Sequence, residues 1–583
     1  MQTFRIQQPY PVETDGNIQE KREHLSEQLD ECKRVKSQYR KHLKSFLEEM
    51  RIWDITQMDF PLRQIYKEYV LESNPSGEYY EYVTAFDRIK QHSIREQTKT
   101  LAGRITCQWK YENKCLFIPY HHDPDIVAEF ERLRYSEKAV WDFSINCSVK
   151  LKHQIFAILN CVIDECKARI NRGYKLSALK ELYAFCVESN IEDIETLENE
   201  QIATYKEYLS EKGYSFISIK NMIPLLSLGR KALFLQAEPI HWYANVWYLD
   251  RFQFSKNRVD PSQIPQKVSF LNIEYRKNRQ YAKEYMKYQL GIGELAVSTL
   301  IEKYCEIQNF LMALDKQKID ACYCPIEIID EYFNTLRIGR AASAYNSNIS
   351  AVWEFYKFFE VKGVIDKVPF YKEYYKQKEI PAHYDRSVDI EVSLEIIKEL
   401  KNCPEHIRVM YLHMWCLGLR ISEICTLKSD AYYLQGDDAW IQVYQVKMKN
   451  YKRVPIPRAL YDIMQVYITK NEIKSGEYLF KNKKGGAFSK ITLCTQMKKY
   501  FNQIGGFDYS FQSHDYRHSV ATMFYDNDVS LQSIRDYLGH TYEEMTEQYI
   551  DYMPQKIAKA NDEYFKTSGN NLAAMMKGGT DEK

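Results

Sequence analysis

A chain of 583 residues, 45% hydrophobic and with a formal charge of +1 at pH 7, has a globular composition and is too long for one core, which predicts about three to five domains. Fourteen Cys without a CxxC pair and a polar N-terminus exclude a disulfide framework and a secretory signal and predict reduced, intracellular thiols. No apolar run approaches the ~20 residues of a membrane span, so membrane partners are excluded, whereas a near-zero total charge neither demands nor excludes nucleic acid, which needs basic residues gathered on one surface.

In chain order, the first feature is a repeat. In "FLEEMRIWDITQMDFPLRQIYKEYV", Phe46 is followed by Ile52, Asp54, Ile55, Tyr66 and Tyr69; in "FCVESNIEDIETLENEQIATYKEYL", Phe185 is followed at the same offsets by Ile191, Asp193, Ile194, Tyr205 and Tyr208. Each predicts a helix ending near Phe, a short turn carrying I-x-D-I, and a second amphipathic helix. A looser copy keeps Phe310, Ile319 and Tyr332 in order. The expected modules are 1–100, 101–240 and 294–371. Near the start of the second, Cys107, Cys115, His121 and His122 have a spacing too loose for a zinc site, so no metal centre is assigned. Residues 241–293 are expected to be a basic linker, where Arg276, Lys277, Arg279, Lys283 and Lys287 alternate with Tyr in a pattern fit for phosphate contact or for a solvated face. The polar, proline-interrupted stretch 372–389 predicts a hinge.

The last domain is expected over 385–565, followed by a flexible tail, 566–583. Helices lead into "GLRISEICTL", where Gly418 frees the chain to turn, Ser422 is placed to cap the next helix, and Arg420 stands beside exposed backbone N–H groups, an arrangement suited to a phosphate. "AWIQVYQVKMKNYKRVPIP" predicts a β-hairpin turning at Asn450, with Lys447, Lys449, Lys452 and Arg453 around its tip. Lys483 and Lys484 in "FKNKKGGAFSK" add a basic loop. His514 and Arg517, three apart, share one face of a helix start, and the next helix stops at Gly539-His540. Thr541 and Glu544 form a T-x-x-E signature for a further helix. Of the tyrosines nearby, Tyr537 reads as core, while Tyr542, Tyr549 and Tyr552 stay open as chemical candidates.

"GLRISE", a basic hairpin, "HDYR", "LGH" and a tyrosine nine residues after that histidine, over about the last third of the chain, resemble the tyrosine recombinases, or phage-type integrases, in order and spacing. The third helical copy resembles the four-helix core-binding domain of that family, and the earlier copies look like further modules of the same type. The resemblance implies a mainly α fold: tandem small helical, core-binding-like domains, then an α-rich catalytic domain with a small antiparallel β-sheet. It makes Arg420 and Arg517 the phosphate-gripping pair, Lys447 the hairpin lysine with Lys449 as substitute, His514 and His540 the histidines, Tyr549 the nucleophile, and Glu423 the support of Arg420.

Such a set suits cleavage of a phosphodiester through a protein nucleophile. Two arginine forks bind the charge that builds on the phosphorane, lysine protonates the departing 5′ oxygen, and histidines and cations assist a phenol whose pKa is ordinarily near ~10. No metal or other cofactor is called for. The resemblance further implies a site-specific recombinase, integrase or transposase that rejoins strands through a 3′-phosphotyrosine, acting on double-stranded DNA at specific sites as a homo-tetramer in a bacterial cytoplasm. A sibling recombinase or a directionality factor is a further expected partner. The competing readings are a non-cutting DNA-binding accessory factor and a type IB topoisomerase.

Overall fold

The computed structural model describes residues 15–73, 79–113, 115–165, 169–380, 386–504, 506–540, 546 and 561–566. They form two compact units divided after Arg251. Both are mainly helical with small antiparallel sheets, as the sequence predicts. Among the described residues no helix is long and apolar enough to cross a membrane.

The first unit begins with α1 (Asp15–Glu31), α2 (Ser37–Glu49), α3 (Phe60–Ser73) and α4 (Tyr79–Gln97). It continues through α5 (Leu101–Cys107), β1 (Cys115–Phe117), α6 (Pro124–Phe130) and β2 (Val140–Asp142), the two strands pairing with Leu116 opposite Trp141. A second bundle follows, α7 (Val149–Glu165), α8 (Arg169–Glu188), α9 (Asn199–Glu211), α10 (Phe216–Met222) and α11 (Pro224–Gln236), and the unit closes after β3 (Val246–Tyr248). One apolar core runs through both bundles, from Leu25 and Phe46 by way of Trp141 to Leu209 and Leu226.

In the second unit β4 (Lys267–Ser269) precedes a third bundle, α12 (Arg276–Gly291), α13 (Val297–Asp315), α14 (Ile326–Arg337) and α15 (Ala342–Val361), and then α16 (Lys372–Tyr375). The expectation of a linker over 241–293 is therefore corrected. Residues 276–291 form a helix that buries Ala282, Tyr285, Met286 and Leu290, and every third or fourth residue of that stretch is apolar enough to face a core. The hinge is also shorter than expected, because Asn346 of α15 donates to the Gln377 carbonyl at 2.9 Å and accepts from its N–H at 2.9 Å.

The repeat seen in the sequence is built the same way three times. The second helix of each bundle ends in a left-handed residue, Arg51, Asn190 or Lys318, with φ of 55°, 53° and 55°. The next residue, Ile52, Ile191 or Ile319, donates its N–H back to Leu47, Cys186 or Leu314, a Schellman closure. An aspartate then caps a short 3-10 turn: Asp54 accepts from Thr56 N–H, Asp193 from Glu195 N–H and Asp320 from Cys322 N–H. In every copy a buried or half-buried amide from the bundle's first helix accepts the turn's first N–H: Gln28 from Ile55 at 3.1 Å, Gln154 from Ile194 at 2.8 Å and Asn278 from Ala321 at 2.9 Å. Phe46, Phe185 and Phe310 pack on Tyr66, Tyr205 and Tyr332 behind the turn.

The remainder of the second unit comprises α17 (Ile390–Glu399), α18 (Glu405–Leu417), α19 (Ile421–Cys425), β5 (Tyr432–Gln435), β6 (Asp438–Gln445), β7 (Asn450–Ile456), α20 (Arg458–Lys470), α21 (Lys490–Phe501), the short pair β8 (Gln503–Ile504) and β9 (Phe507–Asp508), α22 (Ser513–Asp526) and α23 (Leu531–Leu538). β5, β6 and β7 form one antiparallel sheet in that order. Its buried face carries Ala439, Ile441, Val443 and Gln445 from β6 and Lys452, Val454 and Ile456 from β7, the period of two expected of a half-buried sheet.

Candidate active site

Gly418 ends α18 in the left-handed region, φ 56°, and a Cβ there would stand 3.1 Å from Val520 Cβ and 3.4 Å from Arg517 Cα. A glycine is thus needed both for the turn and for the close approach to α22. The chain re-enters helix at once, with Arg420 rather than Ser422 at the cap position and Ser422 inside the first turn. Glu423, 1% exposed, closes that helix end by accepting from the Arg420 backbone N–H at 3.0 Å, and its other oxygen accepts from Arg420 Nη1 at 2.9 Å. Burial alone would raise the Glu423 pKa, but Lys452, Arg517 and Arg420 outweigh it and hold the carboxyl below its usual range.

Arg517 projects from α22 and is 1% exposed. Its guanidinium donates to the Gly418 carbonyl at 3.0 Å, to the Leu538 carbonyl, and to His540 Nε2 at 2.9 Å. Because a guanidinium only donates, His540 Nε2 accepts and the ring proton sits on Nδ1, which donates to Thr546 Oγ1 at 3.0 Å. His540 is buried, and burial together with Arg517, Arg420 and Lys452 pushes its pKa down to about 3, so it is neutral at physiological pH. His514 lies on the exposed side of the first turn of α22. Partial desolvation, then Arg517, Arg420, Arg386 and Lys447, lower its pKa too.

The hairpin turns over 446–449, with Asn450 opening β7 opposite Gln445, not at Asn450. Lys447 and Lys449 are exposed on that turn, and Lys449 takes φ 58°. Met448 and Lys449 N–H groups both donate to the Gln445 carbonyl, at 3.1 and 2.7 Å. Lys452 departs from expectation. Strand alternation turns it to the buried face, where it is 7% exposed, and its Nζ donates to the Tyr537 and Leu538 carbonyls at 3.3 and 3.4 Å and lies 3.7 Å from Glu423 Oε2. It is not a surface phosphate contact. Burial pushes its pKa down to about 8, with Glu423 pulling upward and Arg517 and Arg420 downward.

Arg420, Lys447, His514 with Arg517, and His540 thus come together from four separated stretches, around the Glu423 carboxylate and two helix ends. Arg453, Lys483 and Lys484 are exposed in this unit. In the third bundle Arg276 and Lys277 are exposed, with Lys277 3.4 Å from Asp320, but Arg279 is turned inward, 5% exposed, because it follows Asn278 onto the core side of α12. Arg279 is therefore corrected from a surface DNA contact to a packed residue. Tyr537 packs edge-on against Phe524, 4.9 Å between ring centres, as a core tyrosine does. Tyr549, with Tyr542, Tyr552, the Thr541/Glu544 signature and the expected tail from 567 onward, lies outside the described residues. Among the described residues no group of three or more His, Cys, Asp or Glu side chains is placed to hold a metal, and Cys107 Sγ instead donates to Gln97 at 3.3 Å.

Sequence reading passed over Gln445 and put Lys452 on the wrong face of its strand. Gln445 is 2% exposed and donates from Nε2 to the Gly539 carbonyl at 3.4 Å. The inward orientation of Lys452 was legible from Val454 and Ile456 at i+2 and i+4.

Residues 387–556 match the model of the Phage integrase family. Transposase B from transposon Tn554 of Staphylococcus aureus is 28% identical over 329 residues, covering 54% of this chain and 52% of that one. The chain spans about half the length of the transposase B relatives it matches. Tyrosine recombinase XerD of Lacticaseibacillus casei is 24% identical over 282 residues, covering 47% of this chain and 93% of that one. Among solved structures, XerH site-specific recombinase bound to difH substrate aligns at 15% identity and a TM-score of 0.36 over 52% of this chain and 93% of that one. A lambda integrase dimer bound to a COC' core site aligns at 18% identity and a TM-score of 0.37, over 47% and 76%.

Proposed function

We propose, from the membership of residues 387–556 in the phage integrase family of tyrosine recombinases, that this chain is a DNA strand transferase that cuts and rejoins double-stranded DNA at specific sites through a 3′-phosphotyrosine at Tyr549. The observation that carries the reading is the convergence of Arg420 and Arg517 on one carboxylate and one helix turn, with His540, His514 and Lys447 as electrostatic neighbours. Among the described residues three cations, Arg420, Arg517 and Lys452, surround the Glu423 carboxylate. That excess of positive charge suits a scissile phosphate and, more strongly, the doubly charged phosphorane.

The geometry around each described residue supports the role assigned to it. Arg517 reaches the site with its orientation fixed by the Gly418 and Leu538 carbonyls. Arg420, tethered through one nitrogen, keeps its remaining donors for an anion. His540 is held neutral with its acceptor nitrogen on Arg517, so in the free protein it orients the guanidinium. His514, neutral and exposed, receives or relays the proton of the Tyr549 phenol. Lys447 on the exposed turn of the hairpin donates to the departing 5′ oxygen. Thr546, three residues before Tyr549 in the chain, accepts from His540 Nδ1.

In this reading the three bundles, near 1–100, 101–240 and 276–371, are core-binding-like modules that precede in sequence a catalytic domain over 385–565. Arg276, Lys277, Lys449, Arg453, Lys483 and Lys484 contact phosphates, and strand exchange takes place in a homo-tetramer on DNA, with or without a sibling recombinase or directionality factor. The setting is a bacterial cytoplasm. The test is to incubate the full chain with fragmented genomic DNA of its source, stop with denaturant, and recover and sequence protein-linked DNA. Wild type is expected to yield adducts sharing one sequence, and Tyr549→Phe none while it still binds the recovered duplex. Adducts that persist in Tyr549→Phe overturn the nucleophile; relaxation of plasmid without regard to sequence overturns recombination in favour of a topoisomerase.

A further inference from the structure

We propose, building on the recombinase reading, that Lys452 and Gln445 are positioning residues: they clip the β6–β7 hairpin to the C-terminal end of α23 and so fix Lys447 relative to the Arg517–His540 pair before DNA arrives. Neither side chain faces a substrate. Lys452, 7% exposed, spends its hydrogen bonds on the Tyr537 and Leu538 carbonyls, which are left over at the end of α23 where no further turn of helix can use them. Gln445, 2% exposed, reaches the next residue along, donating to the Gly539 carbonyl. Three successive carbonyls, 537 to 539, are therefore bound from the hairpin by two side chains.

The same Gln445 anchors the turn that carries Lys447. Its backbone carbonyl accepts from both Met448 and Lys449, so the turn's backbone and the α23 contact hang on one residue. Gly539 completes the fit. It takes φ +70°, and a Cβ on it would stand 2.0 Å from Gln445 Nε2. On the other side Lys452 faces Glu423, 3.7 Å away, which holds Arg420. One ammonium thus joins the three elements that bear Arg420, Lys447 and His540. Proton transfer to a leaving oxygen requires its donor to be held close to the productive geometry, and a displacement of about 1 Å costs roughly 10²-fold.

The clip has a pH signature. The charged and titratable groups facing Lys452 are Glu423 and Arg420 beside α19, Arg517 from α22 and His540 after α23. With its pKa at about 8, Lys452 sheds its proton as pH rises through that value and loses its attraction for Glu423, whereas an arginine at the same place stays charged.

The test uses the full chain and the duplex recovered from wild-type adducts, under single-turnover conditions with DNA below saturation so that ionisations of the free protein are read. Lys452→Met is expected to slow cleavage by roughly 10²-fold, with duplex affinity changed less than about threefold. Lys452→Arg is expected to restore most of the rate and to lack the fall above about pH 8 expected of wild type. Cleavage by Lys452→Met at the wild-type rate, or an unaltered alkaline fall in Lys452→Arg, overturns the proposal. Should wild type form no adduct, the recombinase reading fails and the clip is judged alone by amide hydrogen exchange. Lys452→Met and Gln445→Leu must each accelerate exchange across 446–449 and 537–540 without affecting α12 to α15, and unchanged exchange overturns it.

Discussion

Replacing Glu423 with Gln changes one buried charge and almost no volume, which makes its consequences calculable. Three cations lose a counter-charge; Arg517 keeps its bonds to the Gly418 and Leu538 carbonyls, while the other two respond differently. At pH 7.5 Lys452, with its pKa at about 8, is only ~0.7 kcal/mol from neutrality, so it escapes by releasing a proton and its share of the penalty is capped near that figure. Arg420 has no such escape. It keeps one acceptor on the amide but loses a charge-assisted bond at 2.9 Å, worth roughly 1.5–3 kcal/mol. The total is about 2–4 kcal/mol, and for a domain of this size a calorimetric transition moves about 2–4 °C per kcal/mol, so a fall of roughly 5–15 °C is expected in the transition of the second unit. That of the first unit stays in place. At pH 9, where Lys452 is neutral in both proteins, the difference shrinks toward the Arg420 share alone. Cleavage of the recovered duplex should fall by at least about 10²-fold, because Arg420 is no longer held at its helix end. A transition displaced by less than about 2 °C, with cleavage intact, would refute the assignment of Glu423 as the anchor of Arg420.

Gly539→Ala should abolish cleavage and destabilise the second unit by at least ~1–2 kcal/mol for the left-handed backbone alone; adding Gln445→Ala removes the 2.0 Å collision and should recover part of the loss, measured as a double-mutant cycle. Gln154→Leu leaves the Ile194 N–H without its acceptor at 2.8 Å, a cost of about 1–3 kcal/mol that calorimetry should register in the first unit only. His540, neutral because its pKa lies at about 3, binds fewer protons folded than unfolded between that value and ~6.5, so its contribution to stability is complete above this window and is lost on acidification at up to ~1.4 kcal/mol per pH unit. His540→Asn should flatten that slope in unfolding curves taken from pH 4 to 7, and an unchanged slope would show the ring to be already charged.

Much of the active site was legible because its residues announce themselves in short strings. Gly418 and Arg420 stand in "GLR", His514 and Arg517 in "HDYR", and Gly539 and His540 in "LGH", each requiring only local backbone geometry to be placed. Lys452 was misjudged because a lysine among lysines reads as solvent-facing, although Val454 and Ile456 had already fixed the inward phase of its strand. The repeat showed a similar division. Asp54 and Asp193 were visible at equal offsets, since they cap turns within their own segments, whereas Gln28, Gln154 and Asn278 were not, because each comes from a preceding helix joined by a connection of different length. Arg279 was read from charge alone, and its side follows from the neighbouring Asn278, whose amide must face the turn it caps.

Both guanidinium bonds of Arg517 to backbone, and both bonds of Lys452, end on carbonyls at the last turns of α18 and α23. Such fixed dipoles are interior and are not displaced by dissolved ions, as a surface counter-charge would be. Ionic strength should therefore act on the two halves of function separately: salt releases the duplex from exposed lysines and arginines, with affinity falling steeply, while the pocket itself remains assembled. Protein tethered to its duplex, and so relieved of the need to associate, should go on cutting at salt concentrations where free protein no longer binds.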